Sequence, residues 1–330
     1  MDVLQALTSQ VDIGGIWRIG FVVVGAIALY FFMEGYGKKI GWAATGLWFY
    51  TLTYCLYLVE YPKLHFGLAN TAYQASAGAT FISVLLLGWF AVNHPRIIKS
   101  ALPYILLIEC LLLSFGGDGL MSARSFDLAF LALCVPIAGL GLAIWSVVLI
   151  LINHGATAQL ILIAQLFAVA LKYKRFRPYF LTGVIVLVTV AYLHSYGAYF
   201  DGGERLHKWR QMLSIWKSSG SYVLFGVGPG TFTWQSMAAD NWVQPSYKYF
   251  LWMHSDWLQI LFELGLVGFT LAVATFYRAV KLAWSKPRLL AAVFGAAAFG
   301  LTYYPLHFAL SAVVVGMIFS WALSKTKVSS

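Results

Sequence analysis

The chain has 330 residues, of which 61% are hydrophobic and only 10% are charged. A water-soluble domain carries far more charge, so this composition excludes an ordinary soluble enzyme and predicts an integral membrane protein. The formal net charge of +10 comes mostly from short Lys/Arg clusters between apolar runs, which is typical of membrane proteins and argues against nucleic acid as a partner.

Apolar runs recur along the chain, many of them near the roughly 20 residues that cross the hydrocarbon core of a bilayer. They lie near 16–33, 41–59, 71–92, 101–115, 126–152, 158–171, 179–200, 257–277, 289–304 and 306–323. The pattern predicts an all-α, polytopic bundle of about ten spans. We expect N-terminal membrane helices over 1–200, a periplasmic segment over 201–249 and C-terminal membrane helices over 250–330.

The run over 126–152 is long for one span and is interrupted by Pro136, Gly139 and Gly141. Proline removes a helical hydrogen bond, so we expect this run to kink or split.

Clusters of Lys and Arg predict the orientation, because cytoplasmic loops of membrane proteins are rich in these residues. Two such clusters follow the runs at 158–171 and 257–277: Lys172, Lys174, Arg175 and Arg177, then Arg278, Lys281, Lys286 and Arg288. Placing both in the cytoplasm places 201–249 in the periplasm. Lys38, Lys39, Arg96 and Lys99 also favour the cytoplasm, and simple alternation then conflicts with the later clusters. One span between 101 and 171 is therefore miscounted or re-entrant.

The start of the polar segment carries apolar side chains at helical spacing, with basic residues around them. The apolar set is Leu206, Trp209, Leu213 and Trp216, and the basic set is Arg205, Lys208 and Arg210. One interpretation is an amphipathic helix on the bilayer surface with its aromatic side down. The pattern alone favours the plainer alternative, a solvated basic helix end.

A glycine-rich stretch follows, with Gly226, Gly228 and Gly230 around Pro229. Backbone N–H groups in such a loop can cradle a phosphate. Without a preceding strand or a following Lys-Ser/Thr pair, a simple tight turn is the more common meaning.

His254 opens the next apolar run, and Asp256, Gln259 and Glu263 form a polar stripe on roughly the opposite side of the predicted helix. Asp256 suits the first turn of a helix. On a straight helix Glu263 lies about 13 Å below His254, so we expect it to have a hydrogen-bond partner on a neighbouring helix; a catalytic role is the alternative.

Smaller polar breaks occur at Asn153-His154-Gly155, around Arg124 and around Tyr303. Each singly predicts an interfacial anchor or a satisfied polar pair.

Taken in order, the polar motifs resemble the superfamily of O-antigen ligases and O-antigen polymerases, bacterial enzymes that act on lipid-linked glycans. The motifs are Gly203-x-Arg205-x-x-x-Trp209, Phe-Gly-Val-Gly-Pro-Gly-Thr-Phe over 225–232, His-Ser-Asp-Trp-Leu-Gln over 254–259 and Glu-Leu-Gly-Leu-Val-Gly over 263–268. The match covers about the C-terminal half of the chain.

The resemblance implies a glycosyltransferase of the bacterial inner membrane with its active site facing the periplasm. The donor would be a glycan on undecaprenyl diphosphate; the acceptor would be lipid A–core for a ligase and another lipid-linked repeat unit for a polymerase. Arg205 would contact the diphosphate and His254 would serve the acceptor hydroxyl. Substrate binding would fall to Arg210, Lys208, Trp209, Gly228, Gly230, Asp256, Glu263 and His154.

Two departures from the family pattern matter. The chain is short for the family. Many members also carry arginine in a Ser-Arg-Gly-Ala turn where this chain has Asn153-His154-Gly155-Ala156, so one cationic contact is lost or replaced by His154.

The residues are suited to the same chemistry independently of the resemblance. Arginine can neutralise a departing diphosphate without metal, and histidine can take a proton near neutral pH. The sequence has no Asp-x-Asp pair, so we expect neither a metal nor another cofactor. Two alternatives stay open: a polysaccharide transporter or flippase, and an inactive scaffold of a polysaccharide assembly complex.

Overall fold

The computed structural model describes residues 44–45, 94–116, 124–153, 155–176, 178, 180, 182–183, 202–228, 232, 253, 255–303, 306 and 309–323. The regular structure in these ranges is helical throughout, which confirms the all-α prediction for the described part of the chain. The predicted runs at 16–33 and 71–92, and most of those at 41–59 and 179–200, lie outside the described residues.

The described helices are named here in chain order. They are α1 (Pro95–Ser114), α2 (Arg124–Cys134), α3 (Leu140–Ile152), α4 (Ala156–Lys172), α5 (Gly202–Lys217), α6 (Gly220–Phe225), α7 (Asp256–Ala283), α8 (Pro287–Thr302) and α9 (Ala309–Leu323).

The predicted break within 126–152 is confirmed, because α2 ends at Cys134 and α3 begins at Leu140. At about 1.5 Å per residue the two helices are only about 16 and 20 Å long. Arg124 at the start of α2 donates a hydrogen bond to Asn153 at the end of α3. The start of α2 and the end of α3 are therefore neighbours, and α2–α3 is a helical hairpin.

The hairpin is anchored in the centre of the protein by α2, which is buried at every residue from Phe126 to Cys134. Gln165 of α4 donates to the carbonyl oxygen of Ala132 at 2.8 Å. That carbonyl belongs to the last turn of α2, where it accepts from the Val135 N–H at 3.3 Å and where Pro136, four positions on, has no N–H to donate. Gly295 of α8 faces the same glutamine, and a Cβ there would overlap the Gln165 amide. Gln165 thus joins three helices.

Helix α7 is sharply bent at Gly265, whose φ and ψ are 64° and −167°. Trp257 and Phe276 lie 19 positions apart, which is about 28 Å along a straight helix, yet their ring centroids are 6.0 Å apart. The helix therefore folds back on itself, and we call residues 256–264 its first arm and residues 266–283 its second arm. The sequence predicted a span over the apolar run near 257–277, and the structure breaks the helix within that run at Gly265.

The bundle has two distinct ends. Hydrogen bonds of Ser125 and Asp256 to Tyr303, and of Arg124 to Asn153, gather one set of helix termini at what we call the polar end. Phe294 of α8 contacts both Phe167 of α4 and Phe276 of α7, so these helices run side by side toward the other end. The basic end carries the two clusters predicted to share one side: Lys172, Lys174 and Arg175, then Arg278, Lys281, Lys286 and Arg288.

One helix in the described part of the chain, α7, is long and apolar enough to cross a membrane. Its second arm alone spans about 27 Å, close to the roughly 30 Å hydrocarbon thickness of a bilayer.

Candidate functional site

The polar end is built around the first turn of α7. Ser255 caps this helix, because its Oγ accepts a hydrogen bond from the backbone N–H of Leu258 at 3.4 Å. The same hydroxyl donates to the carbonyl oxygen of Gly300 at 3.3 Å. One side chain therefore satisfies an N-terminal donor of α7 and ties the helix to α8.

Asp256 fixes the chain that leaves α8. Its backbone N–H donates to the carbonyl oxygen of Tyr303 at 3.1 Å, and its Oδ2 accepts from the N–H of Leu306 at 3.0 Å. The side chain is only 4% exposed. The predicted cap-region residue is thus more than a dipole partner, since it holds the turn between α8 and α9 in place.

Tyr303 extends this arrangement to the α2–α3 hairpin. Its hydroxyl lies 2.8 Å from the Ser125 Oγ, and its ring meets Phe126 edge-on with centroids 5.1 Å apart. Arg124, the residue before Ser125, is held by Asn153. The first turn of α2 and the last residues of α3 and α8 are therefore neighbours of the first turn of α7.

Helix α5 reaches the same place through Trp209. The indole Nε1–H donates to the carbonyl oxygen of Met253 at 2.6 Å. The predicted helix is confirmed, and Trp209 and Leu213 pack against an apolar cluster of this chain's own residues. Its buried members are Met212, Trp216, Phe232, Met253 and Phe262. The aromatic side of α5 consequently packs on protein, and Arg210 is exposed.

The first N–H groups of the glycine-rich loop donate hydrogen bonds to backbone carbonyls of the protein itself. The N–H of Gly226 donates to Tyr222 O at 2.8 Å, that of Val227 to Phe262 O at 3.0 Å and that of Gly228 to Glu263 O at 3.0 Å. The last two carbonyls come from the end of the first arm of α7, where the bend removes their helical donors. The Gly228 N–H is therefore directed at α7, while Gly230 lies outside the described residues.

Two glycines make this joint possible. Gly226 and Gly265 both have positive φ, 81° and 64°. A Cβ on Gly226 would overlap the Glu263 carbonyl, and a Cβ on Gly265 would overlap the Gly226 nitrogen and the Leu224 carbonyl. The loop and the bend touch backbone to backbone, which only glycine permits here.

Glu263 has the hydrogen-bond partners that its buried position demands. Its Oε1 accepts from the Gln259 Nε2 at 3.0 Å and from the N–H of Phe232 at 3.3 Å. Gln259 in turn accepts from the N–H of Met253 at 3.4 Å. The prediction that Glu263 has a hydrogen-bond partner is confirmed. The partner was expected on a neighbouring helix, but Gln259 lies on the same helix and Phe232 follows the glycine-rich loop. The bend at Gly265 comes after Glu263, so Asp256 and Glu263 still lie on the same straight arm.

The described part of the site thus unites Trp209, Gly228, Asp256 and Glu263 through Met253 and the first arm of α7. His254 and His154 lie outside the described residues, but their chain neighbours Met253, Ser255, Asn153 and Gly155 are described. For Arg205 and Lys208 the structure describes the backbone, within α5. Among the described residues, no group of three or more His, Cys, Asp or Glu is arranged to hold a metal.

Sequence reasoning missed two members of the polar end. Ser125 carries no motif, and only its contact with Tyr303 identifies it. Arg124 was treated as an isolated polar break, because its partner Asn153 is 29 positions away across the hairpin turn.

The chain was compared with models of known protein families and with curated proteins, and neither comparison gave a match.

Proposed function

We propose that this protein is a metal-independent glycosyltransferase of the bacterial inner membrane. It transfers a glycan from undecaprenyl diphosphate to a hydroxyl acceptor on the periplasmic face. The acceptor is lipid A–core if the protein is an O-antigen ligase, and another lipid-linked repeat unit if it is an O-antigen or exopolysaccharide polymerase.

The observation that carries this proposal is the contact between the motifs themselves. Trp209 of the first motif bonds Met253, which directly precedes His254 of the third motif. Gly228 of the second motif bonds Glu263 of the fourth. Contact between segments that carry separate motifs is expected of one site, whereas four unrelated turns and helix ends would not need to meet.

The membrane setting is supported by the surface of the described helices. Large apolar side chains are exposed along several of them, among them Tyr104, Ile144, Leu166, Val273 and Leu301. Lipid is the surrounding that makes such a surface favourable. In a bundle of about ten spans, the short α2–α3 hairpin would be a re-entrant pair that enters and leaves the membrane on the same side. The chain then crosses once fewer between 101 and 171, so all the Lys/Arg clusters can face the cytoplasm.

The proposed mechanism divides the work between two side chains. Arg205, on α5, binds the diphosphate oxygens and neutralises the charge that grows as the sugar–phosphate bond breaks. His254 takes the proton from the acceptor hydroxyl as its oxygen attacks the anomeric carbon from the opposite face. Asp256 and Glu263 accept from the backbone N–H groups of Leu306 and Phe232 and so fix the segments around the first arm of α7.

The test uses purified protein with an undecaprenyl-diphosphate-linked glycan and each acceptor in turn, with product read on gels. Transfer to lipid A–core identifies a ligase, and extension of the lipid-linked glycan identifies a polymerase. A deletion strain gives the matching result in cells. Loss of surface glycan with lipid-linked polymer accumulated indicates a ligase, and retention of a single repeat indicates a polymerase. Protein that transfers to neither acceptor, together with unchanged surface glycan in the deletion strain, rules the proposal out.

A further inference from the structure

Arg124 is an exposed arginine whose side chain is held in place by a hydrogen bond to a neighbouring side chain. Its guanidinium donates to the Oδ1 of Asn153. The Asn153 amide is itself fixed, since its Nδ2 donates to the Leu149 carbonyl oxygen at 2.8 Å. A long side chain held in this way has already lost part of the rotamer freedom that binding would otherwise remove.

The location of this arginine is the polar end. Ser125, next in the chain, contacts the Tyr303 hydroxyl, and the Tyr303 carbonyl accepts from the Asp256 N–H. Asn153 and Asp256 each lie within two positions of a histidine that was singled out from sequence, His154 and His254 respectively. Arg124 therefore lies on the rim of the site described above.

The chemistry of the group favours a phosphate ligand. The described contacts of Arg124 use one of its five N–H donors, and a guanidinium fork matches paired phosphate oxygens. Asp127, one turn further along α2, is fully buried, whereas Arg124 is exposed. The arginine is directed outward, where a ligand can reach it.

We infer that Arg124 is a second cationic contact for the diphosphate of the lipid-linked donor, supplied by the hairpin and not by α5. This inference rests on the function proposed above. It assigns to Arg124 and Asn153 a donor-binding task that neither the motifs nor their spacing indicated.

The experiment measures binding of undecaprenyl diphosphate and glycan transfer by purified full-length protein, for wild type, Arg124→Gln, Arg124→Lys and Asn153→Ala. Arg288→Gln is the matched control, since it makes the same change at another exposed arginine, at the basic end about 20 Å away along α8. Loss of a charged hydrogen bond predicts that Arg124→Gln weakens binding about 10- to 100-fold at an unchanged melting temperature. Arg124→Lys and Asn153→Ala should show smaller losses, and Arg288→Gln none.

The outcomes separate the two proposals. Wild-type protein that neither binds undecaprenyl diphosphate nor transfers glycan contradicts the proposed function. Active wild-type protein in which Arg124→Gln binds as tightly as Arg288→Gln contradicts the role of Arg124 alone. If the glutamine variant melts early, the lysine variant decides, and wild-type affinity in that variant overturns the inference.

Discussion

The polar and basic ends of this bundle both carry cations, but they hold them in different ways. At the basic end, Lys172 and Arg175 lie over the Tyr173 ring, 5.3 and 5.9 Å from its centroid, and Lys174, Lys281 and Arg288 are exposed. At the polar end, Arg124 donates to Asn153, and Tyr303 is hydrogen-bonded to both Ser125 and Asp256, so that several separate helix termini are linked. Positive charge alone therefore does not distinguish a site from an anchor. What characterises the polar end is the hydrogen-bonded support of its side chains.

In the proposed orientation, the polar end and the basic end face opposite sides of the membrane. Cysteine substitution at Ser218, exposed between α5 and α6, should give full labelling by an impermeant maleimide in intact cells. Cysteine at Ser285, exposed between α7 and α8, should label only after lysis, because the surrounding cations favour the cytoplasm. Labelling of both positions from the outside would remove the proposed orientation.

The largest effect on activity is expected at His254. His254→Gln should lower the transfer rate about 10²- to 10⁴-fold, the usual contribution of a general base, with little change in melting temperature. His94→Gln makes the same change at an exposed histidine whose side chain does not cap α1, and it should remain fully active. Near-wild-type transfer by His254→Gln would exclude this residue from the mechanism.

The support of the polar end should fail when the bend of α7 is altered. In Gly265→Ala, a β-carbon meets the backbone of Leu224 and Gly226 at a φ of 64°, so we expect a loss of about 3 kcal/mol or more in stability. Gly141→Ala places its methyl group where no atom lies within 4 Å, near the start of α3, and should be neutral or slightly stabilising. Thermal melting of the two variants checks this, and equal melting temperatures would contradict the role of the bend.

A smaller effect on the transfer rate is expected when Arg205 is replaced by a residue with the same charge but a different shape. Arg205→Lys should reduce transfer about 10-fold, because the ammonium cannot bind two phosphate oxygens through a planar fork. Arg175→Lys at the basic end should be silent, and so should Lys217→Ala at the end of α5. If all three variants transfer glycan equally well, Arg205 is only a headgroup anchor.

The sequence predicted those features that depend on local chemistry. Pro136 has no N–H to continue α2, and Gly139 directly precedes the first residue of α3, so the division between α2 and α3 was predictable. The spacing from Trp209 to Trp216 predicted helix α5 for the same kind of reason.

The bend at Gly265 could not be predicted, because a glycine inside an apolar run is compatible with both a straight and a broken helix. Its conformation is decided by the backbone of residues 224–228, which are distant in the chain. The pairing of Arg124 with Asn153 was also not predicted, because it forms only when the α2–α3 hairpin brings the two residues together. Contacts between remote segments, rather than local preferences, form most of the candidate site.

The joint between Gly226 and Gly265 also bears on biogenesis. A chain that emerges from the ribosome presents α5, α6 and the 226–228 loop before α7 is made. The Val227 and Gly228 N–H groups are thus already synthesised when the chain reaches Phe262 and Glu263, whose carbonyls accept from them in the folded protein. In the reverse order the two carbonyls would be made before their donors, and a buried carbonyl without a donor costs about 1–3 kcal/mol. The order of segments along the chain therefore supplies the donors of this joint before its acceptors.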